Sequence, residues 1–202
     1  GYLDVVKLLV HHVDPAANSN EAVRGACQHG FLAIVKFLIE HFPSVKPDCM
    51  NGEPLKLASG WGHHLLCRYL LRLGVDPTVD NNVCVRSASE NGHLSVVKLL
   101  LACPEVDPAA RDNSALIMAC QRGHLPIVKL LLEHPSVDPT ASDTYVVNVA
   151  TATRNAELLD LLLSHKVQPP LEAWEIATKE EDPAIISLLQ PYFPEKCTNE
   201  ES

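Results

Sequence analysis

Basic side chains are scarce in this chain of 202 residues: 16 Lys and Arg face 25 Asp and Glu, and the formal net charge is −9 with every histidine neutral. Phosphate backbones and anionic lipid reward clustered Lys and Arg. Neither a nucleic acid nor a membrane surface is therefore expected as a partner. No apolar run approaches the roughly 18 residues that a membrane-crossing helix needs, no signal region opens the chain, and there is no Asn-x-Ser/Thr acceptor. Secretion is not expected. Among seven cysteines, none forms a C-x-x-C pair or another short metal-ligand spacing, which argues against a zinc site. An odd count at this density also argues against a stapled secreted domain. Reduced core thiols, Cys27 and Cys120 among them, and a cytoplasmic or nuclear compartment are the expectation. Absent too are the G-x-S-x-G elbow, H-E-x-x-H and any phosphate-binding glycine loop. No cofactor, metal or enzymatic activity is expected.

What the chain has in abundance is repetition. Val13-Asp14-Pro15 returns as Val45-Lys46-Pro47, Val75-Asp76-Pro77, Val106-Asp107-Pro108, Val137-Asp138-Pro139 and Val167-Gln168-Pro169, at steps of 32, 30, 31, 31 and 30 residues. A second phrase keeps time with it as Gly30-Phe31-Leu32, Gly62-His63, Gly92-His93-Leu94 and Gly123-His124-Leu125. Apolar runs such as Val96 to Leu101 and Ile127 to Leu132 follow. A small residue, Ala26, Ala58, Ala88, Ala119, Ala150 or Ala177, stands ten positions ahead of Lys36, Arg68, Lys98, Lys129, Asp160 or Ser187. Such a period marks a solenoid, in which one unit cannot bury its apolar face alone and stacks on copies of itself.

Within a unit, Ser114 to Arg122 places Leu116, Ala119 and Cys120 on one face of a short helix, which Gly123 ends as a left-handed cap. Leu125 to His134 is apolar except along the stripe Pro126, Lys129 and Glu133. A helix polar on one narrow stripe is covered on its other sides, so the unit reads as an αα-hairpin with the second helix outermost. The segments that follow, such as Thr78-Val79-Asp80-Asn81-Asn82, combine an extended Val-x-Pro entry with turn-forming Asp and Asn, and read as hairpin-like fingers. Gly1 to Leu9 aligns with the second half of a unit. The chain is thus expected to begin inside one, as a monomer whose uncapped apolar N-terminal side is the place for end-to-end stacking.

These features resemble the ankyrin repeat family over residues 1 to 191. Residues 92 to 101 and 123 to 132 match that family's Gly-His-x-x-(Val/Ile)-Val-x-x-Leu-Leu signature, and Glu53-Pro54-Leu55-Lys56-Leu57-Ala58 is a worn copy of its Thr-Pro-Leu-His-x-Ala opening. The resemblance implies an all-α fold, an α-solenoid of stacked αα-hairpins with short finger loops. It would comprise a half repeat (1–12), repeats near 13–44, 45–74, 75–105, 106–136 and 137–166, a C-terminal cap (167–193) and a disordered tail (194–202). The family's opening His is replaced by Arg24, Lys56, Arg86, Ile117, Asn148 and Glu175, which puts its usual hydrogen bonds in question.

The family also implies a non-enzymatic protein-binding module whose concave groove is lined by finger tips and first helices. There the units stop agreeing: the pair before each cap reads Gln28-His29, Gly60-Trp61, Glu90-Asn91, Gln121-Arg122 and Ala152-Thr153. The expected partner-binding residues are Gln28, His29, Trp61, Asp80, Asn81, Glu90, Asn91, Arg111, Asp112, Gln121, Arg122 and Thr153, with Trp61, Arg111 and Arg122 as anchors, because hot spots favour Trp, Tyr and Arg. Trp174, in a core-facing slot, is expected to pack. His63, His93 and His124 recur once per unit and are expected to make turn hydrogen bonds, while Lys36, Arg68, Lys98 and Lys129 form a solvated stripe. Two other functions remain open on sequence grounds: a structural spacer or targeting arm of a larger multidomain protein, and a hydrolase built on a Cys-His pair such as Cys120 and His124.

Overall fold

The run Leu125-Pro-Ile-Val-Lys-Leu-Leu-Leu132 shows why the chain folds as it does. Ile127, Val128, Leu131 and Leu132 are buried, while Pro126 and Lys129 stay in water. Burying each such side chain contributes about 1.5–3 kcal/mol, and an eight-residue helix gains this only by packing on others. In the computed structural model, which describes residues 2–140 and 145–197, every described element is helical. Contacts divide the chain into two compact units, residues 1–107 and 108–202.

The first unit holds α1 (Tyr2–Leu9), α2 (Ala17–Gln28), α3 (Leu32–His41), α4 (Cys49–Gly60), α5 (His64–Arg72), α6 (Val79–Glu90) and α7 (Leu94–Leu101). α2, α4 and α6 lie side by side, each paired with the helix that follows it, and α5 packs on α7. α1 packs on α3, burying none of its residues and leaving Tyr2, Val5, Leu8 and Leu9 exposed. The second unit holds α8 (Ala110–Gln121), α9 (Leu125–Leu132), α10 (Tyr145–Ala152), α11 (Ala156–Ser164), α12 (Leu171–Lys179), α13 (Pro183–Leu189), a 3-10 turn at Gln190–Tyr192 and α14 (Pro194–Cys197). Its hairpins stack in the same manner, α8 on α10 and α10 on α12. Trp174 of α12 is buried with its ring 5.7 Å from that of Phe193, as its slot in the repeat predicts. Of the expected tail, residues 194–197 form one helical turn and 198–202 lie outside the described residues.

The three recurring sequence elements meet at one point of each unit. The repeated alanines let first helices approach closely: Ala58, Ala88, Ala119 and Ala150 have no exposed surface. Each also supplies a carbonyl to the cap. His63 N–H donates to Ala58 O at 2.8 Å while Gly62 N–H donates to Ser59 O at 3.2 Å, the paired closure that a left-handed residue permits. Gly30, Gly62, Gly92 and Gly123 have φ of +71° to +79°. Where glycine gives way to Arg154 and Glu181 the chain keeps the conformation, at φ +53° and +51°.

The links between hairpins are short and built from turns. Asp76 Oδ1 accepts from the N–H and hydroxyl of Thr78 at 2.8 and 2.7 Å, a side-chain-closed turn that Asp138 repeats with Thr140. Three successive left-handed residues follow, Asp80-Asn81-Asn82 in α6 and Arg111-Asp112-Asn113 in α8, and only then the right-handed helix. Asn and Asp tolerate that conformation better than most residues, and Gly tolerates it best, so the same polar composition that suggested a finger closes a compact turn. Arg86, in the opening-motif slot, ties this turn down: its guanidinium donates to the carbonyls of Asp80 and Asn81 at 3.0 and 3.1 Å. The third turn residue then bonds the start of the next link, Asn20 Oδ1 accepting from Lys46 N–H and Asn82 Oδ1 from Asp107 N–H.

Candidate partner-binding face

The pair of residues before each cap glycine ends the first helix, and among them His29, Trp61, Asn91, Arg122 and Thr153 are exposed. Trp61, the residue that closes α4, is 58 % exposed there. Beside it lies a depression of about 490 Å³ between α4 and α6. Glu53, Lys56 and Leu57 line it from α4, and Asp80, Val83, Ser87 and Asn91 from α6 and its end. Lys56 Nζ lies 2.9 Å from Glu53 Oε2 and 3.0 Å from Asp80 Oδ2. Burial works against this ammonium, but the hydrogen bonds and charges of the two carboxylates outweigh it, so its pKa is raised. Asp80 is further held by Asn51 Nδ2 at 2.8 Å. One ammonium against two carboxylates leaves the depression with one net negative charge.

Of the expected binding residues, this depression brings together Trp61, Asp80 and Asn91. Asn91 is exposed, and its Nδ2 donates to Ser87 O at 2.9 Å. Asn81 stands exposed on the adjacent turn, and Glu90 sits half-buried at the end of α6. Gln28 and His29 end α2. The Gln28 carbonyl is taken up in stacking, and the His29 ring lies 5.8 Å from Phe31. In the second unit Arg111 and Asp112 are exposed in the left-handed turn of α8, and Gln121 and Arg122 are exposed at its end. Gln121 Nε2 donates to the Tyr145 hydroxyl at 2.8 Å, which adds an unforeseen aromatic to that patch. Thr153 is exposed, but its hydroxyl donates back to Val149 O at 2.8 Å. Its side chain serves its own helix.

Two spans of the chain, residues 1–81 and 85–173, match the family model described as ankyrin repeats (3 copies). The chain belongs to the ankyrin repeat family. Ankyrin repeats are in general protein–protein interaction modules, and the family is typically non-enzymatic. No curated protein matches the chain.

In this ankyrin array His63 and His93 join neighbouring hairpins rather than closing their own turns. His63 Nε2 donates to Gln28 O at 2.8 Å and His93 Nε2 to Gly60 O at 3.0 Å. Those bonds reach across 35 and 33 residues of chain, from one hairpin to the preceding one. The four buried cysteines are set against nucleophilic chemistry. Burial pushes the thiols of Cys27, Cys84 and Cys120 up to about 12 and that of Cys67 up to about 11, whereas a nucleophile needs a lowered value. Among the described residues, no group of three His, Cys, Asp or Glu is placed to hold a metal ion. On the second helices, Lys36, Arg68, Lys98 and Lys129 are exposed as the stripe predicts. A depression of about 440 Å³ between α9 and α11 sets Lys129 near Glu157 and Asp160.

Lys56 and Glu53 escape a reading based on variable pairs because they lie inside the opening motif. Their three-residue spacing on a helix, opposite in charge, is the signal that could have found them.

Proposed function

We propose that this ankyrin repeat chain is a non-enzymatic adaptor that binds a segment of a partner protein along its first-helix face, with the Trp61 depression as anchor. The exposed indole carries this reading. A monomer has no packing reason to hold a Trp 58 % in water, and interfacial Trp residues repeatedly dominate binding energy. Arg111, Gln121 and Arg122 with Tyr145 form the corresponding patch of the second unit. The buried thiols fit a reducing compartment, cytoplasm or nucleus.

Selection of peptides from a random display library on the full chain tests the reading. Selected peptides are expected to lose at least ~30-fold in affinity, about 2 kcal/mol, with Trp61→Ala at unchanged melting temperature. Peptides that bind Trp61→Ala as tightly as wild type would overturn the assignment of the anchor.

A further inference from the structure

Resting on the protein-binding reading, the geometry points to the occupant of the Trp61 depression: an arginine side chain of the partner, its guanidinium stacked on the indole and hydrogen-bonded to the carboxylates of Glu53 and Asp80. Three observations converge on this chemistry.

The first is charge. Lys56 takes Glu53 Oε2 and Asp80 Oδ2 and leaves the site one negative charge in excess. An acidic side chain would face both carboxylates, and Lys56, the cation that lines the depression, has a side chain just 19 % exposed and already held on two sides. A cation is the complementary guest, in keeping with a chain of net charge −9.

The second is shape. A planar, weakly hydrated guanidinium stacks on aromatic faces and presents a fork of donors to carboxylate oxygens, whereas an ammonium is a compact, strongly hydrated point charge. Trp61 offers the flat face, and carboxylates from two neighbouring hairpins offer acceptors a fork can span. The third is the wall. Leu57 and Val83, both half-buried, line the same depression and suit the aliphatic stem that a long cationic side chain lays along apolar surface. Its volume of about 490 Å³ admits such a side chain whole.

The test uses the peptides selected on the full chain, fluorescein-labelled and titrated by polarisation. Selected peptides are expected to share one arginine. Arg→citrulline at that position, which keeps the shape and removes the charge, is expected to weaken binding at least tenfold, and Arg→Lys about fivefold. Glu53→Gln is expected to weaken the arginine peptide severalfold and leave the citrulline peptide unmoved. Asp80→Asn provides a second variant, with folding of each checked by melting temperature. Binding of the arginine peptide is also expected to fall as salt rises. Trp61-dependent peptides with no shared arginine, or citrulline peptides as tight as their parents, would overturn this inference while leaving the anchor assignment intact. Peptides indifferent to Trp61→Ala would overturn both.

Discussion

Gly62→Ala exposes two costs that a glycine at a helix end ordinarily hides together. Gly62 has φ +79°, and an L-residue in that left-handed conformation costs about 1–2 kcal/mol. A methyl group added there would lie 2.5 Å from His93 Nδ1 and 2.8 Å from Cε1 and Cγ of the same ring. The ring must leave. With it goes the hydrogen bond from His93 Nε2 to Gly60 O at 3.0 Å, worth about 0.5–1.5 kcal/mol net. The substitution should therefore cost about 1.5–3.5 kcal/mol. Gly74 is the control: its φ is +83°, yet nothing lies within 4 Å of a Cβ built on it, so Gly74→Ala carries the backbone cost alone. In a His93→Ala background Gly62→Ala should fall to that same backbone cost, a coupling of about 1 kcal/mol. Gly30→Ala should repeat the result, since its Cβ would meet His63 Nδ1 at 2.5 Å. Equilibrium urea unfolding followed by far-ultraviolet circular dichroism measures these variants, the His93→Ala single included. Equal losses for Gly62→Ala and Gly74→Ala, or strict additivity with His93→Ala, would refute the account of the histidine as an inter-hairpin tie.

Glu181→Gly should stabilise the second unit by up to ~1 kcal/mol, because Glu181 sits at φ +51° and relief of that strain exceeds the entropy cost of glycine. Any loss in melting temperature would contradict it. Leu131→Ala should cost about 2–5 kcal/mol, since Leu131 has no exposed surface, whereas exposed Lys129 two residues earlier should tolerate Ala within about 0.5 kcal/mol. Urea midpoints that fail to separate the pair would undo the assignment of the two helix faces. Thiol labelling should reach half-buried Cys49 and Cys103 in the native state, and Cys27, Cys67, Cys84 and Cys120 only on unfolding. The same burial predicts a pH dependence. From the ordinary value of 9.0 to about 12 an unfolded Cys120 is ionised while the folded one keeps its proton, so stability is full below pH 9 and falls as pH rises toward 12. A Cys120→Ala variant should show a shallower alkaline fall, and an identical profile would be the contrary result.

Much of this architecture was legible in the sequence because it depends on short-range rules. The stripe Pro126, Lys129 and Glu133 announced which side of α9 meets water, and Gly62 and Gly123 announced left-handed caps where the helical period stopped. The links were harder. Asp80-Asn81-Asn82 signals a turn, but composition alone does not separate an extended hairpin tip from three left-handed residues in a row. That choice rests on Arg86, whose guanidinium reaches back five and six residues to their carbonyls, and on Asn82, which bonds the start of the next link at Asp107.

The binding face divides in the same way. That Trp61 departs from its counterparts His29, Asn91 and Arg122 is visible in the repeat register. That its indole opens to water beside Glu53, Lys56 and Asp80 is not, because Asp80 lies 24 residues from Lys56 in the chain and arrives only when α6 packs against α4. The order of letters thus set the period, the helix pairs, their buried faces and their caps, all governed by hydrophobic spacing and by which residues accept a left-handed backbone. Stacking added what those rules cannot reach: histidines turned from candidate turn formers into ties between hairpins, thiols held protonated by burial, and a depression whose charge comes from two hairpins meeting. Contacts across some thirty residues form only when one hairpin covers the next, and the chemistry of this face is made of such contacts.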